Sequence, residues 1–225
     1  MDLLIFDMDG VLVDVTDSYR ETICATVKHF TGVEVSKAQI QDWKNQGGWN
    51  DDWRLSQHMI RQAGREVDLE TVIAYFQAIF HGENGTEGLI MRERWIARGD
   101  LFDRLARRFQ LAVFTGRLRW EAEFTLKRFA PGLQFSPIVG SEDVERLKPY
   151  PDGLLKICAA TPGCRAWYVG DTRDDGLSAQ AARVPFIGIA SPANPRYTEL
   201  KQALEETGAV AVLDDINQLE KVLGR

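Results

Sequence analysis

The chain has 225 residues, 44% of them apolar, enough to bury one sizeable α/β core plus a smaller appended unit, which excludes a disordered chain. Its 33 acidic residues against 27 Lys and Arg give a formal net charge of -6, which excludes a general electrostatic pull toward nucleic acid or an anionic membrane and leaves only a local basic site open. No apolar run reaches bilayer length, and MDLLIFDMDG enters an apolar strand without a basic leader, so a cytoplasmic location is expected; Cys24, Cys158 and Cys164 read as reduced thiols outside any zinc-like or catalytic context.

In chain order, LLIFD at 3–7 is a short apolar strand with acidic residues at its C-terminal end. The interval from about 16 to 92 then has little strand character and carries helical stretches near 17–30, 36–44, 51–63 and 69–80, with a further one near 86–97 leading back. A structureless loop of that length is improbable in a compact domain, so 16–92 is expected to be an inserted helical cap on an α/β core formed by 1–15 and 93–225. Apolar runs at 111–115, 135–139, 167–171, 185–189 and 210–213 follow, separated by helical segments at 118–129, 152–160, 175–183, 196–206 and 216–223. Continuous runs suit strands covered on both faces, and the rhythm predicts a Rossmann-like, mostly parallel sheet with crossover helices.

Sites in open α/β sheets lie beyond the C-terminal strand ends, where this chain places Asp7, Thr115 and Asp171, with Lys148 in the loop before the 152–160 helix. Asp7 and Asp9 form DMD, and Gly10 permits the turn that brings both carboxylates to one substrate. One carboxylate can attack phosphorus while the other protonates the leaving oxygen and later takes a proton from water. A DxD equally caps a helix or binds a metal, so the pair by itself leaves these readings open. GDTRDD at 170–175 adds Asp171, Asp174 and Asp175, of which Asp171 and Asp175 are the better magnesium ligands alongside Asp7 and Asp174 faces solvent.

Thr115 in FTGR can donate to a phosphate oxygen, reinforced by the N–H of Gly116, and Lys148 can set positive charge beside the same group. Arg117 and Arg119 offer guanidinium groups to a substrate carboxylate or second phosphate, or pair with a nearby acid. In the cap, GGWNDDW at 47–53 sets two tryptophans where two helices meet; they either pack between the helices or face a ligand. Candidate cap contacts are Asn45, Trp49, Asn50, Trp53 and Arg54, with Arg20 as a weaker addition.

DMDG at 7–10, Thr115, Lys148 and GDTRDD at 170–175, in that order, resemble the four motifs of the haloacid dehalogenase-like hydrolase superfamily, over essentially the whole chain. The insertion resembles the helical cap of the branch containing phosphoglycolate phosphatase and β-phosphoglucomutase. The resemblance implies Asp7 as nucleophile, Asp9 as general acid and base, and Thr115 and Lys148 as phosphoryl holders. It implies Mg2+ on the side chains of Asp7 and Asp171, on the backbone carbonyl of Asp9, and on Asp175 directly or through water. The expected activity is hydrolysis of a small phosphorylated metabolite, as monomer or homodimer, with neither nucleic acid nor membrane as partner. Sugar phosphomutase chemistry on the same nucleophile is the alternative. Dehalogenation is disfavoured by Asp9, imine chemistry rests only on Lys44 near the specificity loop, and a noncatalytic phosphate-binding or signalling module lacks a reason for DMD and the cap.

Overall fold

Leu3, Leu4, Ile5 and Phe6 are fully buried because β1 (Asp2–Phe6) runs through the middle of a sheet that is covered on both faces. Leu4 and Phe6 join one hydrophobic cluster, Leu3 and Ile5 the other. Alternate residues thus serve opposite faces, and the strand reads as a continuous apolar run. The computed structural model describes residues 1–83 and 87–224.

After β1 come β2 (Val13–Asp14) and four helices: α1 (Tyr19–Thr31), α2 (Lys37–Gln46), α3 (Asp52–Gln62) and α4 (Leu69–His81). The starts of α2, α3 and α4 are set by side-chain caps: Ser36 and Gln39 form a reciprocal capping box, Asp51 accepts from the N–H groups of Trp53 and Arg54, and Asp68 accepts from Thr71 N–H. Ile23, Val27, Leu55, Met59, Ile60, Val72, Phe76 and Phe80 form the interior of this helical cap.

The chain returns through a single 3₁₀ turn, Leu89–Arg92, and β3 (Arg94–Trp95). There follow α5 (Leu101–Ala106), β4 (Phe109–Phe114), α6 (Arg119–Phe129), β5 (Phe135–Val139), α7 (Asp152–Ala160), β6 (Ala166–Gly170), α8 (Arg173–Ala182), β7 (Phe186–Ile189), α9 (Tyr197–Glu206), β8 (Ala211–Leu213) and α10 (Glu220–Leu223). The main sheet is parallel in the order β5-β4-β1-β6-β7-β8. The strand order runs outward in both directions from β1, so the crevice for a ligand opens at the C-terminal ends of β1, β4 and β6.

Two local expectations differ from this arrangement, and one element was not expected. The helix expected at 86–97 begins on a residue outside the described range, and from Leu89 onward the chain forms one 3₁₀ turn and then an extended pair with β2, Val13 opposite Trp95 and Asp14 opposite Arg94. The outgoing and returning connections satisfy one another's backbone groups there, which a helix would prevent. The stretch 216–223 splits into a 3₁₀ turn, Ile216–Gln218, and α10, and the short α5 lacks the length for a legible period.

Candidate active site

The turn after β1 is the first element of the site. Leu12 and Val13 donate to the carbonyl of Met8, and Gly10 adopts φ of 70°. A Cβ at Gly10 would overlap the Asp171 carboxylate, so this position requires glycine both for its backbone and for the close approach. Asp7 leaves the end of β1 and Asp171 the end of β6, and the two strands are hydrogen-bonded neighbours.

Lys148 lies between two of the acids, its Nζ 2.9 Å from Asp7 Oδ1 and 2.7 Å from Asp175 Oδ1. All three groups are buried, and the ammonium sits over the rings of Phe114 and Tyr168. Asp175 is held on every side: Tyr168 donates to Oδ1 at 2.6 Å, and the Thr172 hydroxyl and N–H donate to Oδ2 at 2.6 and 3.0 Å. Burial would raise the Asp175 carboxyl, but Lys148 and these hydrogen bonds prevail and hold it below the usual carboxylate range. Burial would likewise lower Lys148, and Asp175 and Asp7 outweigh it, keeping the ammonium charged.

Asp7 is in the opposite situation. Burial pushes its carboxyl up to about 7, with Asp175 and Asp9 adding like-charge repulsion against the opposing pull of Lys148. Asp171 is raised well above its ordinary value by burial and by Asp7 and Asp175, with Arg20 and Lys44 opposing. Oxygens of Asp7, Asp171 and Asp175 lie within 4.8 Å of one another, and Asp171 Oδ1 is buried without a hydrogen-bond partner. An orphaned carboxylate oxygen facing two further carboxylates, in a cluster with one ammonium, fits a hard divalent cation bound through oxygen.

Thr115 is buried at the end of β4, where its hydroxyl accepts from Arg117 N–H at 3.2 Å. Gly116 follows against the cap, since a Cβ there would stand 2.6 Å from Asn50 Nδ2. Thr115, Gly116, Asp7, Asp9 and Asp171 form the core wall of a cavity of about 50 Å³. Its cap wall contains Arg20, Asn50 and Trp53 from the expected contacts. A wider cleft of about 500 Å³ opens on the other side of Asp171, between Arg20, Lys37 and Gln41 of the cap and Asn194 and Asp214 of the core.

The remaining expected cap contacts do not reach the cavity. Trp49 packs edge-on against Trp43 and tilted over His58, with ring centroids 5.6 and 4.4 Å apart, inside the cap. Asn45 accepts from the Gln41 amide, and Arg54 extends into solvent beside Asp51. Arg117, expected at the substrate, is buried and turned toward protein acids, its Nε and one terminal nitrogen 2.6 and 2.5 Å from Asp9 Oδ1. Asp174, expected in solvent, is buried and accepts the N–H of Gly48 from the cap.

The sequence reading passed over Tyr19, Glu121 and Asp52, and valued Lys44 only as an imine former. Lys44 Nζ and Asp52 Oδ1 form a buried ion pair at 2.6 Å in the cap wall. The signal available was their placement on either side of the Gly47–Gly48 turn, whose left-handed glycines bring the end of α2 and the start of α3 together.

The fold and the acidic centre define a capped α/β protein whose Asp7, Asp171 and Asp175 could hold a divalent cation. Residues 4–189 match the family described as haloacid dehalogenase-like hydrolase, and the chain belongs to that family. It is 33% identical over 225 residues to a protein of Phytophthora nicotianae called imidazoleglycerol-phosphate dehydratase; the match covers 93% of this chain, which spans about half, 49%, of that relative. It is 25% identical to phosphoglycolate phosphatase 1 of Pseudomonas aeruginosa over 96% of this chain and 78% of that one. A phosphonoacetaldehyde hydrolase-like protein of Oleispira antarctica has the same fold, with a TM-score of 0.76 at 18% identity over 99% of this chain and 91% of the other. Among the described residues, no helix is long and apolar enough to cross a membrane.

Proposed function

We propose that the protein is a magnesium-dependent phosphatase that hydrolyses a small organic phosphate monoester through an aspartyl-phosphate on Asp7. The observation that carries this reading is the meeting of Asp7, Lys148 and the Asp171 and Asp175 carboxylates beside Thr115, with Asp171 Oδ1 left unpartnered. Asp7, Asp171 and the backbone carbonyl of Asp9 would hold Mg2+, with Asp175 directly or through water. When bound, the cation supplies positive charge that neutralises phosphate oxygens and favours ionised Asp7.

Thr115 and Lys148 hold the nonbridging phosphoryl oxygens. An Asp7 oxygen attacks phosphorus as the bond to the leaving oxygen breaks, and the proton on Asp9 passes to that oxygen, releasing an alcohol. Asp9 then takes a proton from water, whose oxygen displaces Asp7 from phosphorus and yields inorganic phosphate. The unit that admits and covers the substrate is 16–92, hinged where β2 and β3 pair. A cavity of about 50 Å³ holds little more than water, so the cap must open for any metabolite to enter.

The cap wall of the cavity, Arg20, Asn50 and Trp53, supports one second reading, in which closure excludes water in favour of another hydroxyl and the phosphoryl group is transferred. The deciding experiment is a phosphate-release screen with and without Mg2+ across sugar phosphates, phosphoglycolate, nucleotides and imidazole-bearing phosphates, the last suggested by the Phytophthora relative. Mg2+-dependent release that disappears in Asp7→Asn supports the phosphatase. Release that survives the substitution rejects Asp7 as nucleophile, and isomerised phosphate esters without release point to the mutase.

A further inference from the structure

Arg117 follows Thr115 by two residues and lines the same cavity, yet its guanidinium is only 1% exposed and its nitrogens are held by protein groups. Every edge of it is engaged. Nε and Nη2 both approach Oδ1 of Asp9, at 2.6 and 2.5 Å. The same Nη2 lies 2.6 Å from Oε1 of Glu93, and Nη1 donates to the Thr125 hydroxyl at 3.2 Å. Thr125 in turn donates to Oε2 of Glu93 at 2.9 Å, closing a ring of three side chains. The face of the guanidinium rests on the Tyr19 ring, 4.8 Å from its centroid.

Two features of this arrangement bear on chemistry rather than on folding alone. First, both contacts to Asp9 fall on a single oxygen, which leaves Oδ2 for the cavity that Asp9 lines. An always-charged guanidinium gathered on one oxygen anchors that oxygen and leaves the other to serve the cavity. Second, two of the groups that hold Arg117 lie at the connections between cap and core. Glu93 immediately precedes β3 in the returning connection, and Tyr19 begins α1 of the cap. Tyr19 also donates to Glu121 of α6, which pairs with His81 at the end of α4.

We propose that Arg117 is a positioning residue for proton transfer: it fixes Oδ1 of Asp9 so that Oδ2 faces the leaving oxygen, and through Glu93 it makes that orientation depend on the seating of the cap connection. The proposal rests on the reading of Asp9 as proton donor and acceptor. The proton leaves Oδ2 for the departing oxygen as the phosphorus–oxygen bond breaks, while Oδ1 stays on the guanidinium throughout. With its nitrogens taken up by Asp9, Glu93 and Thr125, Arg117 contributes to kcat and not to binding.

The test compares Asp9→Asn, Arg117→Lys, Arg117→Gln and Glu93→Gln on aryl phosphates, whose leaving groups need no proton, and on alkyl phosphates, whose leaving groups do. Each variant is first checked for a cooperative melt, because removing one member of a buried ion pair can unfold a protein. Glu93→Gln keeps Arg117 and Asp9 and carries the test should the Arg117 variants fail to fold. The expected result is a kcat loss of about 100-fold on alkyl esters for the Arg117 variants, with a much smaller loss on aryl esters and KM little changed. Glu93→Gln should show the same dependence in milder form. Equal losses on both ester classes, or a raised KM with kcat intact, would overturn the positioning role while leaving Asp9 in place if Asp9→Asn keeps its own leaving-group dependence. Absence of that dependence in Asp9→Asn overturns the reading of Asp9 and the role of Arg117 together.

Discussion

The carboxylate of Asp174, at the start of α8 in the core, accepts the backbone N–H of Gly48 in the cap through both of its oxygens, at 2.8 and 3.0 Å. Gly47 and Gly48 both have positive φ, so the turn between α2 and α3 is shaped to present that N–H to the core. The contact holds the segment carrying Asn50 and Trp53 over the cavity lined by Asp7, Asp9 and Thr115.

Asp174→Ala should therefore weaken closure without touching the reacting groups. A hydrogen bond to a charged acceptor contributes about 1.5–3 kcal/mol, which corresponds to a loss of roughly 10- to 100-fold in kcat/KM if closure is required for turnover. Asp174→Asn retains an acceptor oxygen and should recover most of the activity. Steady-state kinetics of the two variants decide the matter: equal activity in Asp174→Ala and wild type would mean that this contact plays no part in closure.

Whether a residue's place is legible in the sequence depends on the kind of constraint that the residue obeys. Asp7, Thr115 and Asp171 are legible because each follows a continuous apolar run, and a parallel sheet gathers the ends of such runs at one edge. Lys148 is legible only through its place in the ordered motifs, since nothing in its own loop predicts that its ammonium enters the acidic cluster. The β2–β3 pair escapes notice because two-residue strands have no period, and Asp174 because its partner is a backbone N–H 126 residues away. Arg117 carries the same side chain whether it meets a ligand or an internal acid. The deciding partner, Glu93, lies in the returning connection, and only the folded chain brings it close.

The acidic centre predicts how stability responds to pH and metal. Asp7 is raised to about 7, and Asp171, Asp174, Asp51 and Glu93 are raised as well, burial being the leading cause for each. A carboxyl that binds its proton more tightly when folded contributes stability below its unfolded pKa and loses it as pH rises through the folded value. The metal-free protein should thus lose stability between about pH 4 and pH 7, by a fall in Tm on the order of 5–10 °C. Asp175 is lowered and Lys148 raised, so their own windows lie below and above this range. Mg2+ held by the ionised cluster should raise Tm more at pH 8 than at pH 5, and a chelator should reverse the gain. A thermal-melt series with and without Mg2+ checks both; a metal effect that is equal at the two pH values would count against this carboxylate cluster as the binding site.

Lys148→Met isolates the electrostatic role of the one ammonium in the cluster. Methionine roughly matches the lysine stem and keeps contact with the Phe114 and Tyr168 rings, so packing is largely conserved. Asp7 and Asp175 lose their shared counter-charge, and stranding buried charge in this way costs about 3–5 kcal/mol. The cost should be greatest near pH 8, where Asp7 is ionised in the wild type, and smaller near pH 5, where it is protonated. Urea unfolding of the two proteins at both pH values without metal measures the difference, and an equal gap at pH 5 and pH 8 would rule out charge as its origin.

The two tryptophans of the α2–α3 turn should separate into a packing residue and a specificity residue. Trp49 spends its ring on Trp43 and His58 within the cap, whereas Trp53 joins the cavity wall beside Asn50 and Asp52. Truncating a large, partly buried aromatic leaves a cavity costing about 2–3 kcal/mol, so Trp49→Ala should lower Tm by roughly 5–10 °C. The fraction that remains folded should keep the wild-type ranking of substrates, because no atom of the cavity wall has changed. Trp53→Ala should instead alter the ratio of kcat/KM between large and small phosphate esters, with little change for inorganic phosphate as a product inhibitor. A full set of melts and substrate ratios for the two variants tests this division, and a shift in substrate ranking by Trp49→Ala at unchanged Tm would reverse the assignment.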